Sequence, residues 1–182
     1  MSSPILDQES RHALSLLEQR SQIEANKIQG VRTVLVVLSS KAMVMDIDGL
    51  RHKVAIAYPE AAVFFITTSG QAMGIPAPKH VDLLIDFTGP GMRQGWFYAR
   101  KLRSRAKFAV GRNAGLFRKG SYDRIFDEKA PDFTPARDMH ERERMALKKV
   151  LHLAGVATLP MGEATRDLSK KIALDLPPLQ HS

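Results

Sequence analysis

The chain has 182 residues, of which 44% are apolar and 25% are charged, so its composition is typical of one globular domain and excludes a disordered or collagen-like protein. It contains no cysteine, which excludes disulfide bonds, thiolate catalysis and cysteine-bound metals. Lysine and arginine number 27 against 19 acidic residues, giving a net charge of +8 that favours anionic partners: nucleic acid, acidic lipid or sugar, or phosphate.

The apolar stretches of the chain are short. The longest, Thr33–Leu38 and Ala61–Thr67, fall far below the roughly 20 residues that a membrane-spanning helix needs, and the chain does not open with a signal-peptide pattern. We therefore expect a cytoplasmic protein.

Residues 1–30 form the first predicted element, an N-terminal amphipathic helical extension. Asp7 is placed to cap this helix, and Gly30 ends the pattern. Its apolar positions lie on roughly one side and are Leu14, Leu17, Ile23 and Ile28. A single helix cannot bury such a side by itself, so we expect it to pack on the domain or to mediate self-association.

The following segments predict strands that alternate with helices. Residues 31–38 are a continuous β-branched run, typical of a central strand buried on both faces. A helix is predicted from the Ser39-Ser40 break to about Tyr58, where Pro59 ends it. Two further buried strands are predicted over residues 62–67 and 81–87, joined by a Gly/Pro-rich connection.

The second half of the chain continues the alternation. A helix is predicted from Gly91 to about Ser104, and a last helix over Asp138–Leu153, with Gly155 at the expected stop. Two short strands are predicted between them, over residues 107–110 and 124–127. Residues 157–182 form a tail with a short helix.

This order of elements predicts the fold class. Strands alternating with helices indicate an α/β protein: one Rossmann-like, three-layer domain with a mostly parallel sheet over residues 31–156, preceded by the N-terminal helix.

The turn after the first strand is the best candidate site by position. Ser39, Ser40 and Lys41 follow the carboxyl end of the strand and precede a helix, where open α/β sheets place ligands and helix amides bind anions. The turn lacks the glycines of the dinucleotide and P-loop patterns, so no nucleotide fingerprint is present. A simple helix cap by Ser40 is the alternative.

Asp46 and Asp48 resemble the paired carboxylates that hold a divalent ion. Residues two apart on a helix point to different faces, so the two cannot easily reach one ion, and we expect neither a metal nor a cofactor. The last helix opens with His140-Glu141-Arg142-Glu143-Arg144, which is not a zinc pattern.

Asp86 ends the third strand, just before the loop that begins with Thr88 and Gly89. At this edge its carboxylate is placed to accept a hydrogen bond from a sugar hydroxyl. The alternative is that it caps the amides of the loop. Arg93, further along the same segment, is placed to add positive charge for an anionic ligand.

A basic segment spans residues 93–124. It contains ten basic residues against Asp123 alone, and Trp96, Phe97 and Tyr98 lie among them. This density favours phosphates or carboxylates, and the aromatics would suit stacking on single-stranded nucleic acid. A solvated surface, with at least one aromatic packed inward, is the alternative.

Several motifs in order resemble the N-terminal domain of the ADP-heptose:lipopolysaccharide heptosyltransferases, glycosyltransferase family 9. Residues 38–43 and 57–61 align without gaps with the family's Ser-Ser-Leu-Gly-Asp turn and its Phe-Pro-Glu-Ala helix end. Residues 81–87 are similar to its Ile-Asp-Leu-Gln-Gly strand, and residues 99–112, ending in Gly111-Arg112, to its Ala-Arg and Arg-Ile-Gly-Phe region. His140, Glu143 and Arg144 are similar to its His-x-x-Glu-Arg helix.

The sequence also departs from the family. The position of the aspartate that the family uses as general base is Met43, which cannot accept a proton. We expect no counterpart of the family's C-terminal donor-binding domain. Between Thr67 and Asp82 there are only about fifteen residues, so we also expect a strand and helix of the family to be missing or much shortened.

The resemblance and its departures imply a catalytically inactive, cytoplasmic, bacterial heptosyltransferase-like domain. It would bind a protein partner or an anionic sugar or phosphate ligand, through the residues Ser39, Ser40, Lys41, Asp86, Thr88, Gly89 and Arg93. One alternative is the acceptor-binding half of a split glycosyltransferase, with Asp46 or Asp48 as the base. The other is nucleic-acid binding through the basic segment.

Overall fold

The computed structural model describes residues 8–38, 47–88, 100–112, 121–128 and 139–158. Its helices are α1 (Gln8–Ala25), α2 (Ile47–Ala57) and α3 (Met139–Leu153). Its strands are β1 (Thr33–Leu38), β2 (Ala62–Thr67), β3 (Val81–Asp86), β4 (Ala106–Arg112) and β5 (Arg124–Phe126). No helix in these ranges is long and apolar enough to cross a membrane.

The five strands form one parallel sheet in the order β2-β1-β3-β4-β5. The sheet and its helices confirm the predicted Rossmann-like α/β fold with an N-terminal helix. β4 spans Ala106–Arg112 and is longer than the strand predicted over residues 107–110. Its two extra residues at the carboxyl end, Gly111 and Arg112, pair in register with Ile125 and Phe126 of β5.

The core lies on both faces of the sheet, which explains the continuous apolar run of β1. Successive strand residues point to opposite faces. Val34 and Val36 pack with α2 and α3, while Leu35 and Val37 join a second cluster that includes Leu102. All four β1 residues are completely buried. A one-residue shift of β1 would therefore turn Val34 and Val36 toward the second cluster, and Leu35 and Val37 toward α2 and α3.

The end of α3 is formed as the sequence predicts. Gly155 has a φ of +72°, and the amide of Val156 donates to the carbonyl of Leu151 while the amide of Gly155 donates to His152, which is a Schellman cap. A Cβ on Gly155 would lie 2.8 Å from the backbone N and Cα of Lys27. A glycine is thus required here both by φ and by space.

The chain divides into two compact units, one of residues 1–21 with 159–182 and one of residues 22–158. Within the second unit, Ile23 is buried and the amide of Ile28 donates to the hydroxyl of Tyr58 at 3.2 Å. That hydroxyl in turn donates to the carbonyl of Ala154 at 2.6 Å, and burial raises the pKa of Tyr58. The residues that follow Ser21 therefore belong to the same packing unit as the sheet.

The connection between β2 and β3, residues 68–80, contains no helix and no extended strand. It begins with a tight turn, and Ala72 then forms an isolated antiparallel bridge with Ile66 along the outer edge of β2. The amide of Met73 donates to the carbonyl of Phe65 at 2.9 Å. This return of the chain occupies part of an edge that would otherwise be open to pairing with another strand.

At the amino-terminal edge of the sheet, Asp82 joins β1 to β3. One carboxylate oxygen accepts the amides of Arg32 and Thr33 at 2.9 and 3.0 Å, and the other lies 2.7 Å from the ammonium of Lys107. The bond from Lys107 and that from the Arg32 amide lower the pKa of Asp82 to about 2.

We expect Asp82→Asn to lower the free energy of unfolding by about 1 to 2 kcal/mol at pH 7. Because the pKa of Asp82 is depressed in the folded state, this contribution is complete above the unfolded value near 4 and is lost as pH falls toward 2. Urea unfolding of both proteins between pH 7 and 2 measures the difference. A difference that stays constant down to pH 2 would contradict this account.

Candidate ligand-binding edge

The strand order places the topological switch point of the sheet at the carboxyl ends of β1 and β3. The chain leaves β1 toward β2 on one side and returns to β3 on the other, so the connections diverge at this point of the sheet. Open α/β sheets bind ligands at such a switch point. In the sequence, Ser39, Ser40 and Lys41 follow β1, and Thr88, Gly89 and Arg93 follow β3.

The structure describes three of the predicted residues: Asp86, Thr88 and Asp48. Asp48 is exposed and lies in the first turn of α2. The predicted helix starts after the Ser39-Ser40 break. Residues 39–46 lie outside the described ranges, and α2, Ile47–Ala57, is the described part of that prediction. The following predicted or motif residues lie outside the described ranges: Ser39, Ser40, Lys41, Met43, Asp46, Gly89 and Arg93.

Asp86 is completely buried at the end of β3, between Val37 of β1 and Gly111 of β4. One carboxylate oxygen accepts the amide of Thr88 at 2.8 Å, and the other accepts the hydroxyl of Tyr122 at 2.5 Å. The first bond is the loop-capping contact that the sequence offered as an alternative to a ligand contact. The Asp86 carboxylate thus fixes the start of the loop.

Gly111 makes the contact between Tyr122 and Asp86 sterically feasible. A Cβ at Gly111 would lie 2.5 to 2.7 Å from the Cζ and Cδ1 atoms of the Tyr122 ring, closer than real Cβ contacts. The ring therefore occupies the space of the missing side chain. From there its hydroxyl reaches across β4 to the carboxylate on β3.

A buried charge network lies beside this pair, at the end of β4. The Arg112 side chain is 1% exposed, and its guanidinium contacts Glu143 on α3 through two hydrogen bonds, at 2.7 and 3.1 Å. It also pairs with Glu128, with Nε donating at 2.7 Å, and Nη1 donates to the carbonyl of Phe87 at 3.3 Å. Arg142 completes the network through the second oxygen of Glu128, at 3.1 Å.

The network keeps Arg112 charged in spite of its burial. Desolvation lowers the pKa of Arg112, but the hydrogen bonds and attraction of Glu143 and Glu128 outweigh that effect and raise it. Two guanidinium groups face two carboxylates, so the network is neutral as a whole. Its bonds connect β3, β4 and α3 at the candidate edge.

Sequence reasoning did not single out Tyr122 and Glu128. The sequence indicates these two residues only indirectly. A buried arginine such as Arg112 needs a carboxylate, which Glu128 supplies, and a buried aspartate such as Asp86 needs a donor, which Tyr122 supplies. The sequence placed Arg112 and Glu143 in two separate motifs, without indicating that they touch.

The basic segment contains many side chains that bond protein atoms. Arg103 pairs with Asp123 at 3.0 Å, and Arg105 donates to the carbonyls of Pro78 and Lys79. Arg124 donates to the carbonyls of Asn26 and Leu153, and Lys107 and Arg112 make the ion pairs described above. Bonding within the protein is thus a third role for these basic side chains, beside the anion binding and the solvated surface that the sequence predicts.

In the described part of the chain, no group of three or more histidine, aspartate and glutamate residues is arranged to hold a metal ion. Comparisons with protein-family models, with curated proteins and with solved structures find no match to this chain.

We expect Gly111→Ala to displace the Tyr122 ring and to lower the free energy of unfolding by about 2 to 3 kcal/mol. Tyr122→Phe, which removes only the hydroxyl, should cost about 1 to 2 kcal/mol. Because the displaced ring no longer reaches Asp86, the hydroxyl should contribute nothing in the Gly111→Ala protein. Chemical denaturation of the two single variants and the double variant measures this, and fully additive costs would contradict it.

We expect Arg112→Met to cost about 3 to 5 kcal/mol, because it removes the cation from Glu143 and leaves the buried Glu128 with the partly exposed Arg142 alone. Arg142→Met is the matched control and should cost about 1 kcal/mol or less, since the Arg142 side chain is 38% exposed. Adding Glu128→Gln and Glu143→Gln to Arg112→Met should recover part of the loss. Equal costs for the two arginines in urea unfolding would show that the buried pairing is not what stabilises this edge.

Proposed function

We propose that this chain is a catalytically inactive relative of the heptosyltransferase acceptor-binding domain, which binds an anionic sugar or phosphate ligand at the carboxyl ends of β1 and β3. The observation that carries the proposal is the contact between Arg112 and Glu143. These residues belong to two motifs that resemble the family separately, about thirty positions apart in the sequence. Through their bidentate ion pair, the two motifs together join β4 to α3 at this edge.

The arrangement of polar groups at this edge supports binding. The carboxylate of Asp86 is bonded to Tyr122 and Thr88, and the glutamates of the network face arginines. The acidic groups at the ends of β3 and β4 are therefore neutralised or bonded internally. Lys41 follows β1 by three positions and Arg93 follows β3 by seven, so each adds a positive charge to a segment that begins at the end of one of these strands.

The chemistry of the residues supports the inactive assignment. A thioether at position 43 cannot take a proton from a sugar hydroxyl. Asp86, at the end of the neighbouring strand, is completely buried and accepts a bond on each oxygen. A general base needs an accessible oxygen within hydrogen-bond reach of the reacting hydroxyl, and Asp86 has neither oxygen free of a protein donor.

The split glycosyltransferase is the second candidate, and the position of Asp48 favours it. Asp48 is exposed near the start of α2, so its carboxylate is accessible to a substrate hydroxyl. In this alternative a separate chain supplies the donor-binding domain.

Titration calorimetry with glucose 6-phosphate and with ADP tests the binding site. Lys41→Ala combined with Arg93→Ala should weaken binding of the phosphate compound by about a hundredfold, because two charge-assisted contacts are lost. The control combines Lys53→Ala and Arg11→Ala, which remove the same charges from exposed positions on α2 and α1. Unchanged affinity in the Lys41 and Arg93 variant would exclude the assigned edge.

Purification of the intact protein with its bound partners from native lysate separates the two candidates. Recovery of a donor-binding glycosyltransferase chain, with sugar transfer that Asp48→Asn abolishes, would establish the split enzyme and overturn the inactive assignment. Recovery of the protein alone, with phosphate binding intact, is the result expected of the inactive binding domain.

A further inference from the structure

A cluster of basic side chains, named here the basic edge, lies at the amino-terminal edge of the sheet. It consists of Arg32, Lys79, Arg105 and Lys107. Arg32 precedes β1, Lys79 precedes β3, and Arg105 and Lys107 flank the first residue of β4. The three strands are neighbours in parallel register, which places these residues side by side. Asp82 is the carboxylate within the cluster and is already paired with Lys107.

The basic edge is held in place and yet faces solvent. Arg105 donates from Nε to the carbonyl of Lys79 at 2.8 Å and from Nη2 to that of Pro78 at 2.7 Å, which fixes the end of the loop against β4. Arg32 and Lys79 have exposed side chains, and Lys107 is 81% exposed although it bonds Asp82. The charges of Arg105 and Lys107 are therefore held in place by protein contacts, while those of Arg32 and Lys79 extend into solvent.

Ile75 lies in the loop that ends at the basic edge. It is 77% exposed, the most exposed of the large hydrophobic residues that the structure describes. Gly74, with a φ of +100°, precedes it, and Pro76 follows. Lys79 is four positions after Ile75, so their Cα atoms are at most about 15 Å apart. A bulky apolar side chain thus projects into solvent close to a group of lysines and arginines.

We infer that the basic edge and Ile75 together bind the surface of an anionic lipid bilayer. Each lysine or arginine near such a surface strengthens binding by roughly fivefold, and an apolar side chain that enters the boundary between headgroups and acyl chains adds a second, salt-independent contribution. The combination of the two signals is what distinguishes reversible attachment to a membrane from simple attraction of anions.

The described surface favours lipid over nucleic acid. Proteins that hold single strands without sequence preference stack the bases on exposed aromatic side chains. The exposed large hydrophobic residues in the described ranges are all aliphatic: Leu14, Leu17, Ile56 and Ile75. An isolated isoleucine beside basic groups is suited to acyl chains and offers no stacking surface.

This surface is distinct from the candidate ligand-binding edge and does not depend on it. The two lie at opposite ends of strands of six or seven residues, which are about 20 Å long. Attachment through the amino-terminal edge would leave the carboxyl ends of the strands facing away from the headgroups that bind the basic edge.

Flotation of the full-length protein with vesicles tests the inference. The vesicles contain equal amounts of phosphatidylglycerol and phosphatidylcholine, and vesicles of phosphatidylcholine alone serve as the uncharged comparison. We expect binding to the anionic vesicles that weakens as sodium chloride is raised. Arg32→Glu combined with Lys79→Glu should weaken it roughly a hundredfold, and Ile75→Ser about tenfold.

Each variant has a matched control on another part of the surface. Lys53→Glu combined with Lys148→Glu makes the same charge change at exposed positions of α2 and α3. Ile56→Ser makes the same apolar change at an isoleucine that is 54% exposed on α2. The controls should retain binding within about twofold. Circular dichroism melts of all variants check that each remains folded.

Three results would overturn the inference. The first is equal recovery with charged and uncharged vesicles. The second is a loss with the matched controls as large as with the basic-edge and Ile75 variants. The third combines two observations: Arg32→Glu with Lys79→Glu weakens binding of a single-stranded RNA oligonucleotide or of free glycerol phosphate, and Ile75→Ser leaves vesicle binding unchanged. This result would assign the surface to nucleic acid or to soluble phosphate.

Discussion

The buried guanidinium of Arg112 is the interaction on which the carboxyl end of this sheet depends. A charge that is 1% exposed is stable only when carboxylates and hydrogen-bond acceptors surround it, and here these come from three directions. Glu143 belongs to α3, Glu128 follows β5, and the Phe87 carbonyl follows β3. The position of the last helix and the ends of neighbouring strands are thus set by the geometry of one side chain. Because that geometry is bidentate toward Glu143, it also restricts the rotation of α3 about its own axis.

The Arg112 network and the Asp86–Tyr122 pair meet at the end of β3. Asp86 and Phe87 are consecutive, so the bond of Tyr122 to Asp86 and the bond of Arg112 to the Phe87 carbonyl fix adjacent residues. Both depend on β4, where Gly111 gives room to the tyrosine ring and Arg112 supplies the cation. Asp86 of β3, Phe87 directly after it, and Gly111 and Arg112 of β4 therefore define where the loop with Thr88 starts. A rigid starting point of this kind is what a binding loop needs if its own contacts are to be specific.

The fold could be predicted from the sequence to the extent that local patterns decide it. The continuous apolar run of β1 indicates a strand covered on both faces, and a glycine after an amphipathic run indicates the end of α3, and both features are present. The end of β4 could not be predicted in this way. Glycine is depleted in strands and arginine is rarely buried, so Gly111 and Arg112 look like the start of a loop. They remain in the strand because Tyr122, Glu128 and Glu143, which are distant in sequence, supply the contacts that each of them needs.

The candidate edge was predictable in position but not in its contacts. A strand followed by a turn and a helix gives the edge at which ligands bind, and this follows from topology alone. Whether Asp86 faces a ligand or the protein depends on Tyr122, whose hydroxyl reaches it only because position 111 lacks a Cβ. The same limit applies to the basic segment, where a count of lysines and arginines gives no information about their partners. Arg103, Arg105 and Arg124 bond backbone carbonyls and Asp123, so a large part of the positive charge that suggests a partner stabilises turns and strand ends.

Taken together, these contacts give the two ends of the sheet different electrostatic character. At the carboxyl end, carboxylates and guanidinium groups are paired in the interior, so the described surface there carries little net charge from the network. At the amino-terminal end, Asp82 accepts the backbone amide of Arg32 and pairs with the ammonium of Lys107, and the side chains of Arg32, Lys79 and Lys107 are exposed to solvent. The difference arises from burial, because buried ions require partners of opposite sign whereas exposed ions are stabilised by water. A parallel sheet separates its two ends by the full length of its strands, so the neutral charge network at one end and the cationic surface at the other lie too far apart for either field to cancel the other.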